Sequence, residues 1–340
     1  MELATGYTCI PFCSTTCQAE TGVREEKRMR RRPTQRTGRG RTDHTRSLRL
    51  GWRHGLGRIF GLLLVLLPWP SAEGHAADRV VLLELFTSSG CPPCVAGDLA
   101  LDRLLEEHSS KELAVLAYHM HAGSPDPMAT WSSMARMRFY ETRGAPTFFV
   151  DGKKASEEGG NARKADAIHR KLQKKIEQQR GESSEISLQA SAIRRGDTLD
   201  VEIRIRPAEV FESSEGLVLH VALVERMLQY TGSNGIDHHP MVVRQVLGEG
   251  EGIPLPSLQK PSTFQEKFSI EAVQSRVLDH LEAAEQELAG RGGWRGFDRK
   301  MHVIDPDQLL LVAFVQNPRS RAVLQAIVVE PRPAGTRPEP

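Results

Sequence analysis

The sequence predicts an α/β domain followed by a mainly antiparallel, β-sandwich-like domain. Over residues 78–181, apolar runs of strand length alternate with apolar stripes at helical spacing. From Ile186 onward the pattern changes to two-residue alternation broken by turn residues. A length of 340 residues matches about two domains. With 39% apolar and 26% charged residues, the composition is that of a globular chain and excludes disorder or a collagen-like repeat for its bulk. Lys+Arg 45 against Asp+Glu 43 provides no concentrated basic field, so nucleic acid is not an expected partner.

The charge is nevertheless uneven. Residues 1–77 carry 13 Lys+Arg and 6 Asp+Glu, while residues 78–340 carry 32 and 37. The basic stretch from Arg28 to Arg58 has neither helical nor strand period and runs into the nine apolar residues Ile59 to Leu67. A bilayer-spanning helix needs about 20 apolar residues and a secretory signal core about 7 to 15, so this run fits export better than a permanent span. Pro68 and Pro70 break it, and Gly74 and Ala76 supply the small residues of a cleavage site. The expectation is an exported, periplasmic or otherwise extracytoplasmic chain that starts near Ala77 or Asp78. A start at Met29 and an uncleaved membrane anchor at 59–67 are the alternatives. Arg30, Arg31 and Arg32 lie too far from the apolar core for twin-arginine export.

Five cysteines are present, and Cys9, Cys13 and Cys17 precede the signal core. The remaining two form Cys91-Pro92-Pro93-Cys94. A chain stapled for stability spreads its cysteines to close long loops, which this one does not. A zinc site would need two further Cys or His ligands at similar spacing. The pair therefore reads as thiol chemistry.

The elements around it follow in order. Val80 to Phe86 is a buried strand ended by Thr87-Ser88-Ser89-Gly90. Prolines are tolerated in a first helical turn, so Cys91 and Cys94 open a helix whose apolar stripe is Val95, Leu101, Leu104 and Leu105. Leu113 to Tyr118 is the next strand, and Met128, Trp131, Ala135 and Phe139 mark a second helix. Gly144-Ala145-Pro146 leads into the strand Thr147 to Val150, which turns at Asp151-Gly152 toward a short strand. Ala165, Ile168, Leu172 and Ile176 define a closing helix.

An apolar strand, a Cys-x-x-Cys pair at a helix start and a Gly-Ala-Pro-Thr segment opening the third strand resemble the thioredoxin superfamily over residues 78–181. The whole layout is similar to secreted thioredoxin-like proteins whose redox domain carries a C-terminal β domain. The resemblance implies a cis Ala145–Pro146 bond beside the cysteines, with Ala145 and Pro146 positioning an extended substrate. It also implies a buried acid that relays the proton of the second cysteine. Glu84, seven residues before Cys91, is the acid in the leading strand, and a plain strand-edge carboxylate is the alternative.

A thiolate at a helix N-terminus feels the positive end of the helix dipole, so Cys91 is the expected nucleophile or leaving group and Cys94 the resolving thiol. Pro92 and Pro93 remove backbone donors and add no cation, from which a reducing potential is expected. His119 and His121 end the second strand; with the two sulfurs they would make the soft site that copper(I) or zinc favours.

In the second domain Ile186 to Ala192 and Leu199 to Ile205 form an amphipathic hairpin about Gly196-Asp197. Leu217 to Val224, Leu309 to Val315 and Val323 to Val329 add strands, interrupted by a helix over 272–288. The domain is expected over 182–332, followed by a flexible tail at 333–340. The connection 230–244, which contains Asp237-His238-His239, reads as a long polar loop that either caps the Cys91 site or only joins strands.

The function expected is that of an exported thiol–disulfide oxidoreductase, acting on protein or small thiol substrates with an unnamed redox partner and no cofactor beyond the Cys91–Cys94 disulfide. The membrane would be touched only through the N-terminal segment. A binding protein with a structural disulfide is the alternative, to be told apart by a buried Cys91. Copper handling is the third reading. No phosphate loop, catalytic triad or zincin helix is present in the sequence.

Overall fold

The structure is a computed structural model and describes residues 78–207, 216–255, 258–290 and 294–335. The expectations for the leader, with Cys9, Cys13, Cys17 and the apolar run 59–67, lie outside the described residues, as do residues 336–340 of the tail. The fold is mixed α/β with two sheets and few helices.

The chain begins with β1 (Val81–Thr87), whose seven residues are all buried. A short 3-10 turn at Pro92–Cys94 continues into α1 (Val95–Glu107). Next come β2 (Leu113–His119), α2 (Trp131–Tyr140), β3 (Thr147–Val150), β4 (Lys153–Ser156) and α3 (Ala165–Arg180). Strand β1 lies between a parallel β2 and an antiparallel β3. Both its faces are covered, which is why its sequence is an unbroken apolar run with Glu84 as the exception. Helix α2 starts where the Thr130 hydroxyl accepts from the Ser133 amide, three residues past Met128, which packs in a separate small cluster with Leu228 and Val242.

The second half contributes β5 (Ile186–Arg195), β6 (Thr198–Pro207), β7 (Val218–Gln229), β8 (His238–Val246), β9 (Ile253–Pro254), β10 (Ser262–Ser269), α4 (Ile270–Leu288), β11 (Leu309–Gln316), β12 (Val323–Val329) and β13 (Arg332–Pro333). Strands β10, β6, β5 and β13 form a four-stranded sheet. The others continue the first sheet, in the order β12-β11-β7-β8-β2-β1-β3-β4, with β9 paired to β7. The connection expected to be a loop over 230–244 is therefore a strand from His238 on. That strand joins the halves, through the parallel pair Ala117 and Val242. Its signal was hidden by His239 and Pro240 and by a β-bulge opposite Leu223 and Val224.

The two layers meet as a sandwich. Leu219, Val221 and Leu223 of β7 and Leu311, Ala313 and Val315 of β11 pack against Leu199, Val201, Ile203 and Ile205 of β6. Their sequence neighbours Ala222, Val224, Val312 and Phe314 face the other way and join the core beneath β1 and β2. The described residues from Asp78 on form one unit, and the larger sheet crosses the expected boundary at 181/182. Polar links cross it too: the Arg136 guanidinium donates to Gln316 of β11 at 3.0 Å, and Arg79 pairs with Asp151 and donates to the Val323 carbonyl.

Candidate active site

Cys91 and Cys94 form a disulfide at the start of α1. Cys91 caps the 3-10 turn in an extended conformation, and the Cys94 amide donates to its carbonyl at 3.0 Å. Pro92 and Pro93 are exposed between two buried cysteines. Behind them the Pro93 carbonyl accepts from the Gly160 amide at 2.7 Å. A Cβ on Gly159 would lie 2.6 Å from the Pro93 oxygen, so the strap after β4 closes on the motif only because that residue is glycine.

The Ala145–Pro146 peptide bond is cis. Cys91 Sγ lies 3.5 Å from the Ala145 carbonyl oxygen, so the outer sulfur and the backbone before β3 lie side by side. Cys91 itself is only 4% exposed. One reason is the turn between β7 and β8: the Asn234 amide donates to the Ser89 carbonyl at 3.1 Å, and its side-chain nitrogen reaches the carbonyls of Ser88 at 3.3 Å and Cys91 at 3.5 Å. A Cβ on Gly232 would meet the Ser89 oxygen at 2.4 Å, so this close seating also requires glycine.

Glu84 does not lie with the sulfurs. It is fully buried and ion-paired to Arg136 of α2 at 2.6 Å, and it accepts from the hydroxyls of Tyr118 and Tyr140. In a strand, residues three apart point to opposite faces. Glu84 therefore faces α2, whereas Thr87 faces α1, where its hydroxyl donates to Asp98 at 2.7 Å. The expectation of a proton relay at Glu84 is corrected for that reason.

Asp98 is a second buried acid, and it lies on the α1 side of β1. It follows Cys94 by four residues on the same helical face, is 6% exposed, and its Oδ2 has no hydrogen-bond partner. Burial pushes its carboxyl up to about 7, against the lowering effect of the Thr87 hydroxyl and His119. The Cys-x3-Asp spacing was the available signal.

His119 and His121 are each engaged elsewhere. His119 Nδ1 lies 2.9 Å from Asp126 Oδ2. Burial pushes Asp126 up, but the charge and hydrogen bond of His119, with the amides of Met128 and Ser89, outweigh it and hold this carboxyl well below the usual range. His121 Nδ1 accepts from the Asp126 amide at 3.0 Å, and its ring stacks on His280 of α4 with centroids 5.3 Å apart. Burial lowers both rings, His280 to about 3. Among the described residues no group of three or more His, Cys, Asp or Glu side chains is placed to hold a metal ion, so the two histidines and two sulfurs do not form the ligand set the copper reading needs.

No protein-family model matches the chain, and no curated protein matches it. Among solved structures it is similar to HBP35 of Porphyromonas gingivalis, at 16% identity and a TM-score of 0.52, over 77% of this chain and 79% of that one. It is also similar to a domain of the outer membrane lipoprotein Omp28 from Porphyromonas gingivalis, at 13% identity and a TM-score of 0.27, over 44% of this chain and 90% of that one. The likeness to HBP35 is one of fold.

Proposed function

We propose that the chain is an exported thiol–disulfide oxidoreductase built on a thioredoxin-like domain. The observation that carries the reading is the Cys91–Cys94 disulfide at a helix start, with Cys91 Sγ 3.5 Å from the carbonyl that precedes a cis proline. The backbone of Ala145 is the docking strand for an extended thiol or disulfide substrate. In the reducing half, a substrate thiolate attacks Cys91 Sγ, the S–S bond breaks, and Cys94 leaves with the electron pair and takes a proton from Asp98. A second substrate thiolate then displaces Cys91 and completes the substrate disulfide. In the oxidising direction Cys91 attacks the substrate disulfide, and Cys94 gives its proton to Asp98 and resolves the mixed disulfide. Export is supported by the short apolar run 59–67 and the small residues after it. Among the described residues no helix is long and apolar enough to cross a membrane.

The low exposure of Cys91 and the Asn234 clamp favour a second reading, a binding protein whose disulfide is structural. Trapping separates the two. In a full-length chain with Cys9, Cys13 and Cys17 changed to Ser, Cys94→Ser leaves Cys91 free to hold a mixed disulfide. Incubation with oxidised glutathione is expected to give a stoichiometric adduct on Cys91 by mass spectrometry. A Cys91 that takes up no glutathione would leave the structural reading in place.

A further inference from the structure

The helix that carries the disulfide also carries a row of acids, and the reading above uses only its inner member. Cys94, Asp98 and Asp102 recur at four-residue intervals, so their side chains line one face of α1. Helical side chains lean toward the N-terminus, so each acid reaches over the turn of the residue before it in the row. Asp98 Oδ1 accepts the Thr87 hydroxyl, while Oδ2 is buried without a partner. A buried acceptor left open is costly unless water serves it.

Space for that water exists. A cavity of about 10 Å³, lined by Thr87, Asp98, His119, His238 and His239 among apolar neighbours, has room for about one molecule. At its outer end His238 of β8, about one-third exposed, lies with Nε2 3.0 Å from Asp102 Oδ2 and Nδ1 2.9 Å from Asp237 Oδ1. The row thus starts one helical turn past the buried Cys94 and ends at the part-exposed His238, which is supplied by the strand that joins the two halves of the molecule.

We propose that this row is a proton path: Asp98 exchanges a proton with Cys94, and one water in the cavity with the Asp102–His238 pair passes it between Asp98 and solvent. The proposal rests on the oxidoreductase reading. When an external dithiol reduces the disulfide, two electrons pass to the protein sulfurs and the dithiol becomes its own disulfide. Cys94 departs as a thiolate and takes the proton of Asp98. The Asp98 carboxylate is refilled through the water from His238, which draws on bulk solvent; oxidation runs the same steps in reverse.

The groups that face Asp98 leave His238 as the outlet. Thr87 of β1 is a fixed donor, and His119 of β2 is tied to Asp126. His239 of β8 is lowered to about 4 by burial and by His119, and its Nε2 lies 2.9 Å from the Tyr230 carbonyl. Burial raises Asp102, and the hydrogen bonds to Asp237 and Asp102 raise His238. Asp98, pushed up to about 7, and the raised Asp102 and His238 are therefore the members placed to hold and release a proton.

The test is the rate at which dithiothreitol reduces the disulfide, followed by quenched alkylation in weak buffer between about pH 5 and 9, on the full chain with Cys9, Cys13 and Cys17 changed to Ser. His238→Gln is expected to slow reduction by about tenfold or more, and added imidazole to restore it, because a diffusible base replaces the missing carrier. Asp98→Asn is expected to slow it without rescue by imidazole, since the inner step is closed to buffer. A His238→Gln chain as fast as the parent at every pH, or slow and indifferent to imidazole, would overturn the path. A parent disulfide that dithiothreitol cannot reduce would overturn the path and the oxidoreductase reading together, and is recognised in the parent arm alone. Glutathione capture by Cys91 judges the reading without bearing on the route of the proton.

Discussion

Asp98 and Glu84 are both buried carboxylates, and their neighbours give them opposite chemistry. Glu84 is matched by an arginine and two tyrosines, so removing its charge strands Arg136 in the core. Glu84→Gln is expected to destabilise the protein by about 3 kcal/mol in urea unfolding, with thiol reactivity little changed. Asp98 has one neutral donor and an open oxygen. Its folded-state value, raised from 3.8 to about 7, means that the folded protein holds this proton more tightly than the unfolded chain does. The stabilisation is fully present below about pH 4 and is lost as pH rises through about 7. Asp98→Asn is therefore expected to gain up to a few kcal/mol over the parent at pH 8 and nothing at pH 4, read as the difference between two unfolding series. At this scale Glu84 was singled out from the sequence, and Asp98, four residues past Cys94, was not. What the sequence does not mark is strand parity relative to the helix, which sends Glu84 to the α2 face and Thr87, with its bond to Asp98, to the α1 face.

Among the elements, β1, β2, β3, α1, α3, the β5–β6 hairpin, β11 and β12 lie where their apolar periods put them. The cysteine pair at a helix start and the Gly-Ala-Pro turn were legible because both are local features, whereas the cis form of Pro146 and the role of Ala145 came only from the resemblance to the thioredoxin superfamily. Strand β8 was not legible. His238, His239 and Pro240 read as loop, and only the long-range pairing with β7 and β2 makes them strand. The turn before β8 has a role of its own, since Asn234 holds the segment from Ser88 to Cys91 through three hydrogen bonds. Asn234→Ala removes the two side-chain bonds it donates and the one its Oδ1 accepts from the Ile236 amide, each contributing about 1 kcal/mol. Reduction of the disulfide by glutathione is expected to speed up several-fold in this variant, with unfolding stability lowered by about 2–3 kcal/mol. An unaltered rate would mean that the turn does not limit access to Cys91.

For the whole molecule, length indicates about two domains, and the larger of the two sheets runs through both halves. Periodicity reports which residues of a strand are buried, not which strand lies next to it, so a sheet shared between halves leaves no local signal. The halves share the β2–β8 pair, the Arg136 link to Gln316, and the pairing of Arg79 with Asp151 and Val323. Calorimetry is expected to show a single unfolding transition for residues 78–340, whereas independent domains would give two. The same continuity places His238 of the second half beside Asp102, midway along the helix that follows the disulfide. The central claim is that this disulfide is exchanged and not merely structural, and its reduction potential tests that most directly. Equilibration of the full chain, with Cys9, Cys13 and Cys17 changed to Ser, in dithiothreitol and glutathione buffers is expected to give a value within about −120 to −270 mV. A value below about −300 mV would contradict the account and make Cys91–Cys94 a structural bond.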